Sequence, residues 1–265
     1  MLEQTLRHVG SMVETRLAEV GRTARLAASA AERILIGPWR GERLRLRSTI
    51  AQLSRAGEGS LPLVAMIAFL VGMILALQSA HTLRQLGTVR LVADLVALSI
   101  TRELAPLITA ILVVGRVGSA IAAELGTMRV SREVDALVVM GFDPVSFLVV
   151  PRLLGLVLAL PCLTLFADLV GILGGAVIAT TVLGLGVPGY WSDSLAALRL
   201  DDVWSGVIKS LCFGAITALV CCQKGLDTRG GADEVGRSTT SAVVRSIVLV
   251  IVADLVFTAW FYLRE

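Results

Sequence analysis

Five runs of about 20 apolar residues decide what this chain can fold into. They lie at about 61–82, 91–126, 145–182, 203–223 and 243–263. The hydrocarbon core of a bilayer is about 30 Å thick, and an α-helix rising about 1.5 Å per residue crosses it in about 20 residues. Lipid offers no partner to a backbone N–H or C=O, so each run has to pair its own backbone as a helix. Charged residues make up 17% of the chain and hydrophobic ones 55%, whereas a soluble domain carries about 25% charge. The expected fold is an all-α polytopic membrane protein with five transmembrane helices. The second and third runs are too long for one perpendicular crossing. Pro106 is expected to kink the second, with 91–104 entering at the outer surface and 106–126 spanning, and Pro151 and Pro161 to bend the third.

The segment before the first span reads differently. Over residues 1–36, Leu2, Leu6, Val9, Val13, Leu17, Val20, Ala24, Ala27, Ala31 and Ile34 recur at three- and four-residue steps, with Arg7, Glu14, Arg16, Glu19, Arg22 and Arg25 opposite. This spacing predicts an amphipathic helix. An arginine-rich one beside a membrane domain either lies in the interface or packs on another chain. Gly37-Pro38 should end it. Residues 1–60 thus form an N-terminal interfacial segment and 61–265 the transmembrane domain. The first 60 residues hold ten arginines and no uninterrupted apolar core, unlike a signal peptide. By the excess of arginine, the N-terminus is expected in the cytoplasm, together with 124–143 and 224–242. The acid-leaning loop 183–202 then lies outside. Cys162, Cys212, Cys221 and Cys222 sit in apolar runs with no CxxC spacing and read as buried small side chains.

Between the second and third spans lies the most particular stretch, GRVGSAIAAELGTMRVSREVDALVVMGFDPVSFLVVPR over 115–152. Its centre, Glu124 to Asp143, is too polar for lipid and too short for a domain. Ser131 can cap a helix with Glu133 in its first turn, and Gly141 can end it. Val134, Leu137, Val138 and Met140 form an apolar side, and Glu124, Arg129, Arg132, Glu133 and Asp135 a polar one. A plain turn has no use for an apolar side away from lipid. A short amphipathic helix between two spans suits a lever that takes force from a motor outside the membrane.

Nothing in the chain reads as a fuel-burning site. There is no GxxxxGK[ST], and the glycine-rich GLDTRGGADEVG at 225–236 lacks a phosphate-reading lysine and reads as a mobile loop. Neither His8 nor His81 has nucleophile and carboxylate companions, and no cofactor or metal is implied. Four charges do lie within spans: Arg102, Glu103, Lys209 and Asp254. Alone against lipid each would cost about 2.5–3.5 kcal/mol on insertion scales. Their opposite signs at similar depth predict one charge network inside the bundle, the alternative being separate snorkelling of Arg102 and Lys209. Small residues at Gly115, Gly118, Ser119, Ala122 and Ala123, and at Gly171, Gly174 and Gly175, mark close helix approach, within one chain or at a homodimer seam.

With these residues in view, the chain resembles the MlaE/YrbE permeases of MCE-type ABC transporters, relatives of the plastid lipid permease of plants. The resemblance is carried by QLSRAGEGSLPLV at 52–64, GMILALQ at 72–78, TRELAPLITAILVVGRVGSAIAAELGTM at 101–128, DALVVMGFDP at 135–144, LVVPR at 148–152, IKSLCFG at 208–214 and GRSTTSAVVRSIVLVIVADLVFTA at 236–259. It implies a homodimer bound to a cytoplasmic ABC ATPase of the MlaF kind, an MCE-domain protein of the MlaD kind outside, and in some systems a STAS-domain protein of the MlaB kind. It also implies an inner-membrane location and movement of lipid, commonly phospholipid, between inner and outer membranes. On this resemblance Leu75, Leu77, Gln78, Arg102, Glu103, Lys209 and Asp254 fall at a lipid cavity and its polar network. Glu124, Met128, Arg129, Glu133, Asp135, Leu137 and Met140 fall in a coupling helix that meets the ATPase. Two other readings stay open from the residues: an ion-coupled secondary transporter using Asp254 or Glu103 as proton carrier, and a scaffold anchoring an MCE protein.

Overall fold

The structure, a computed structural model, describes residues 2–35, 45–85, 88–89 and 91–263, with 2–18 described by backbone alone. Gly37-Pro38 and the side chains of Leu2 to Leu17 lie outside the described residues. Among the described residues eight helices follow one another: α1 Leu2–Leu35, α2 Leu46–Gln85, α3 Leu91–Val130, α4 Glu133–Val139, α5 Val145–Thr181, α6 Val187–Ala197, α7 Leu200–Leu226 and α8 Ala232–Tyr262. There is no strand among the described residues. The five helices long and apolar enough to cross a membrane are α2, α3, α5, α7 and α8.

Helix α5 is the axis of the bundle, packed along α2 on one side and α7 on the other, with α3 against both. Glycine sets the α2–α5 distance. A Cβ on Gly72 would fall onto the carbonyl oxygen of Gly171, and one on Gly174 onto that of Phe69. Nothing larger than hydrogen fits, so the two backbones touch and dispersion replaces the hydrophobic drive that lipid cannot supply. Helix α8 is different. It packs on α7 and α3, but only 17% of its apolar window is buried, against 56% for α7. Val248, Val252, Leu255 and Val256 point outward.

Several details differ from expectation. Helix α2 starts at Leu46, well before the expected span, and runs through Pro62 without a break. Pro106 does not divide α3 either. A π-helical turn at Ile100–Leu104 precedes the proline, with Ala105 N–H bonding back to Ile100 O, and a second π turn occupies Val114–Gly118. The glycine-rich stretch expected as a mobile loop is mostly helical: α7 ends at Leu226 and α8 begins at Ala232. Asp233 and Glu234 fall in the first turn of α8, where the helix dipole favours acids. Cys221 and Cys222 are buried as expected, but Cys162 faces outward from α5.

Helix α1 lies at the end of the bundle that also carries α4 and the α7–α8 turn. It docks by charged and apolar contacts together. Glu19 is nine-tenths shielded and pairs with Lys224 Nζ at 2.7 Å and with Arg245. Thr23 bonds Gln223, Arg22 pairs with Asp227 at 3.1 Å and Arg33 with Asp143 at 3.3 Å. Val20, Ala24 and Ala31 of the expected apolar stripe are exposed. Apolar contacts accompany the charges: Ala30 is fully buried in the core, with Leu26 and Ile34 packed against it, so only part of the expected stripe faces away.

Candidate functional site

Two places in the bundle concentrate polar chemistry, one at each end. The first is built on Lys209, which is 1% exposed. Its Nζ donates to Glu103 Oε2 at 2.7 Å, to Thr258 Oγ1 at 2.8 Å and to the Arg102 carbonyl at 3.1 Å. An ammonium has three donors, so these bonds exhaust it. Asp254 Oδ1, 3.0 Å from Nζ, is therefore held by charge, without a hydrogen bond. Thr258 Oγ1 closes the ring by donating to Glu103 Oε1 at 2.9 Å.

The backbone explains why Arg102 contributes its carbonyl. Pro106 has no N–H, so the carbonyl four residues earlier, that of Arg102, loses its helical partner. The π turn over Ile100–Leu104 opens the ladder at the same place, and Lys209 enters the gap. π turns inside α-helices often mark functional positions. Gly206, one turn before Lys209 on α7, lets α7 approach: a Cβ there would come 2.7 Å from Thr101 O.

The Arg102 side chain takes another partner. Its Nε lies 2.5 Å from Asp202 Oδ1, and Asp202 is 2% exposed. Asp202 Oδ2 also accepts the Arg199 N–H at 2.8 Å and so caps α7. The expected four-charge network is thus two linked units: Glu103, Lys209 and Asp254 by side chains, and Arg102 joined by its carbonyl while its guanidinium engages Asp202. Sequence reasoning missed Asp202 and Thr258. Both had a signal: Asp202 stands at the third position of a helix opened by Arg199, and Thr258 lies one helical turn after Asp254.

Beside this cluster opens a cleft of about 780 Å³, with Trp204, Phe261 and Tyr262 among its walls. Leu75, Leu77 and Gln78 do not line it. They lie on α2, with Leu75 packed inward against the α2–α3–α5 core and Leu77 and Gln78 exposed.

The second place is the elbow around α4. Ser131 does not cap α4 but finishes α3, donating to Thr127 O at 3.0 Å while contacting Glu133 Oε1 at 2.8 Å. The reason is Arg132, which stands between the two helices in the left-handed region at φ 61. That conformation costs a non-glycine residue about 1–2 kcal/mol and turns the chain sharply. Gly141 at φ +81 makes the exit turn as expected. Val134 and Leu137 are buried against the bundle, whereas Val138, Val139 and Met140 are 56%, 88% and 62% exposed. The apolar side thus splits: one part anchors the helix and the other faces outward.

Polar groups stiffen the elbow. Arg129 Nη1 bonds Asp135 Oδ1 at 2.5 Å, bracing α3 to α4. Glu124 turns away from α4 and pairs with Arg152 at 2.9 Å, the Arg152 side chain being 7% exposed and also bonded to Leu148 O at 2.8 Å. Glu124 therefore ties α3 to α5. Met128 is half-buried against the core. Asp143 accepts the Ser146 N–H at 2.9 Å at the start of α5, and Arg45 stacks 3.7 Å over the Phe147 ring. A push on α4 would thus reach α3 and α5 through Arg129 and Glu124, and α1 through Asp143.

Comparison with known proteins settles the lineage. The family model described as Permease MlaE matches residues 49–260. The chain belongs to the MlaE permease family. It is 41% identical over 237 residues to the chloroplast protein trigalactosyldiacylglycerol 1 of Arabidopsis thaliana, over 89% of this chain and 66% of that protein. It is 40% identical over 219 residues to a protein of Rickettsia prowazekii named as a probable ABC transporter permease, over 83% of this chain and 85% of that one. A probable ABC transporter permease of Synechocystis is 39% identical over 218 residues, 82% of each. The chain spans just under two thirds of the Arabidopsis protein and more than four fifths of the bacterial ones. Five apolar helices in an MlaE permease make this a multi-pass membrane protein.

Proposed function

We propose that this permease is the membrane subunit of an ABC transporter that moves lipids, with phospholipid carried between inner and outer membranes. Its relatives are named ABC transporter permeases, a subunit class that does not itself catalyse hydrolysis. The observation that carries the reading is the elbow at α4. A helix anchored by Val134 and Leu137, with Val138, Val139 and Met140 exposed and an ionic brace to α3 through Asp135 and Arg129, is a surface for receiving force. ATP hydrolysis then belongs to a separate cytoplasmic ATPase of the MlaF kind, docked on α4 and Met140. The N-terminus and α4 lie in the cytoplasm and the α6 end faces outward, in the inner membrane. The outward apolar face of α8 and the Leu77–Gln78 face of α2 suit a homodimer with lipid held between protomers. An MCE-domain protein of the MlaD kind would receive or deliver lipid outside, and a STAS-domain protein of the MlaB kind would join at the ATPase.

The ion-coupled reading is supported less well, because both candidate proton carriers, Glu103 and Asp254, are held by one saturated lysine. The test is ATP-driven phospholipid movement in proteoliposomes containing the permease with its ATPase. Val139→Asp together with Met140→Asp should abolish ATPase co-purification and movement while leaving the melting temperature unchanged. Movement without ATPase, or full movement by the double variant, would overturn the proposal.

A further inference from the structure

The cleft beside Lys209 carries an inference about which lipid enters it, resting on the lipid-permease reading above. Its charges are already matched within the protein. Arg102 faces Asp202, Lys209 faces Glu103, and Arg199 lies 3.8 Å from Asp201 at the exposed rim. Asp254 is a second carboxylate on the same lysine and is left over. The lining of the cleft is therefore balanced in charge, and the one extra carboxylate, Asp254, lies behind it. Lys209 has no N–H to give a phosphate, since all three are spent. An anionic headgroup pushed toward the cluster would find no cation waiting and a carboxylate without a full partner.

The uncharged walls are Ser205, Ile208, Thr258 and three aromatic rings. Trp204, Phe261 and Tyr262 line the cleft, and Trp204 and Tyr262 stay 61% and 79% exposed. Ring faces beside carboxylates are the environment that alkylammonium groups seek, because the ring quadrupole attracts the cation where water is thin. Arg199, on the rim and 75% exposed at its side chain, is placed to meet a phosphate further out.

We infer that this cleft selects zwitterionic phospholipids, receiving the ammonium end of the headgroup between Trp204, Phe261 and Tyr262 with Glu103 as counter-charge and Asp254 behind it on Lys209. Rings serving only as an interfacial belt would show no headgroup preference.

The test uses the full-length chain in detergent, equilibrated with mixed micelles holding equal amounts of dioleoyl phosphatidylcholine, phosphatidylethanolamine and phosphatidylglycerol, with bound lipid counted by native mass spectrometry. The two zwitterionic lipids should exceed phosphatidylglycerol by about tenfold. Trp204→Leu with Tyr262→Leu should reduce that ratio to below about twofold while total bound lipid persists, and Trp204→Phe with Tyr262→Phe should restore it. The aliphatic pair is at exposed positions, and an unchanged elution volume and melting temperature would show that it folds. Should it not fold, Arg199→Glu serves instead. Its reversed rim charge should deepen the bias against phosphatidylglycerol and weaken retention of both zwitterionic lipids. Equal binding of all three lipids by the parent chain, or a ratio untouched by removing the rings, overturns the inference and leaves lipid transport standing. Failure to bind any of the three lipids overturns both.

Discussion

Lys209→Met is the sharpest perturbation the bundle offers. Methionine keeps the apolar stem and removes only the charge and its three hydrogen bonds. What remains is two carboxylates facing one another. The Asp254 side chain is 14% exposed and cannot recover its water, while that of Glu103, 37% exposed, can do so in part. Removing one partner of a buried ion pair costs about 3–5 kcal/mol, and the partial exposure of Glu103 places this case at the low end, about 3 kcal/mol. The Arg102 carbonyl adds about 1 kcal/mol, because Pro106 has already denied it a helical partner. The total of about 4 kcal/mol corresponds to a fall of about 8–16 °C in melting temperature for a domain of this size. Intrinsic tryptophan fluorescence of the purified chain in detergent reads this directly, since there are four tryptophans. A second substitution tests the cause. Asp254→Asn in the Lys209→Met background removes one uncompensated charge, so it should return about half of the loss. A single variant melting within about 2 °C of the parent, or a second substitution that only adds damage, would refute the reasoning.

Three further outcomes follow from other parts of the structure. Gly72→Ala places a methyl group on the Gly171 carbonyl, so α2 and α5 must separate; a loss of about 2–3 kcal/mol in thermal or denaturant unfolding is expected. Tyr190, buried and bonded to Ile172 O at 3.2 Å, has its phenol pushed up from 10.0 to about 12 by burial. The unfolded chain then releases this proton first, so stability is complete below about pH 10 and declines toward about pH 12, by up to about 1.4 kcal/mol per pH unit. Tyr190→Phe should remove that part of the alkaline loss when melts at pH 8 and pH 11 are compared. Glu19→Gln removes the carboxylate that ties α1 to Lys224 and Arg245; α1 should loosen by about 2 kcal/mol, seen as faster hydrogen exchange over residues 19–30 with the rest of the bundle unchanged.

What could be read from the sequence and what could not divide along a physical line. The apolar runs, the elbow at 131–141 and the meeting of Glu103, Lys209 and Asp254 were legible, because a bilayer imposes a one-dimensional rule: apolar inside, polar at the ends. Helix starts were less so, since α2 and α8 begin well before their apolar runs, where hydropathy is silent. Rotation about each helix axis was the least legible quantity. Helix α1 shows this: of the expected apolar stripe Val20, Ala24 and Ala31 are exposed, while Ile34 packs on the core beside Leu26 and Ala30, and Glu19 and Arg33 add ionic contacts.

The same difficulty acts inside the membrane through the two π turns of α3. Each inserts a residue into the regular winding and rotates everything beyond it by roughly a quarter turn. A 3.6-residue wheel drawn through 91–130 therefore misplaces faces after Leu104 and again after Gly118. Arg102 sits inside the first π turn, so a charge counted with Glu103 and Lys209 by depth alone swings its guanidinium to Asp202 and leaves its carbonyl behind. The cause of that swing is nonetheless written in the chain. Pro106 forbids one backbone bond, the freed carbonyl needs a donor, and Gly206 admits α7 closely enough for Lys209 to supply it. A buried lysine bound by a carbonyl, a threonine and a carboxylate is then the consequence of a proline on another helix. For that reason Pro106→Ala, which restores an N–H to α3, should compete with Lys209 for the Arg102 carbonyl and loosen the cluster without touching any of its charges.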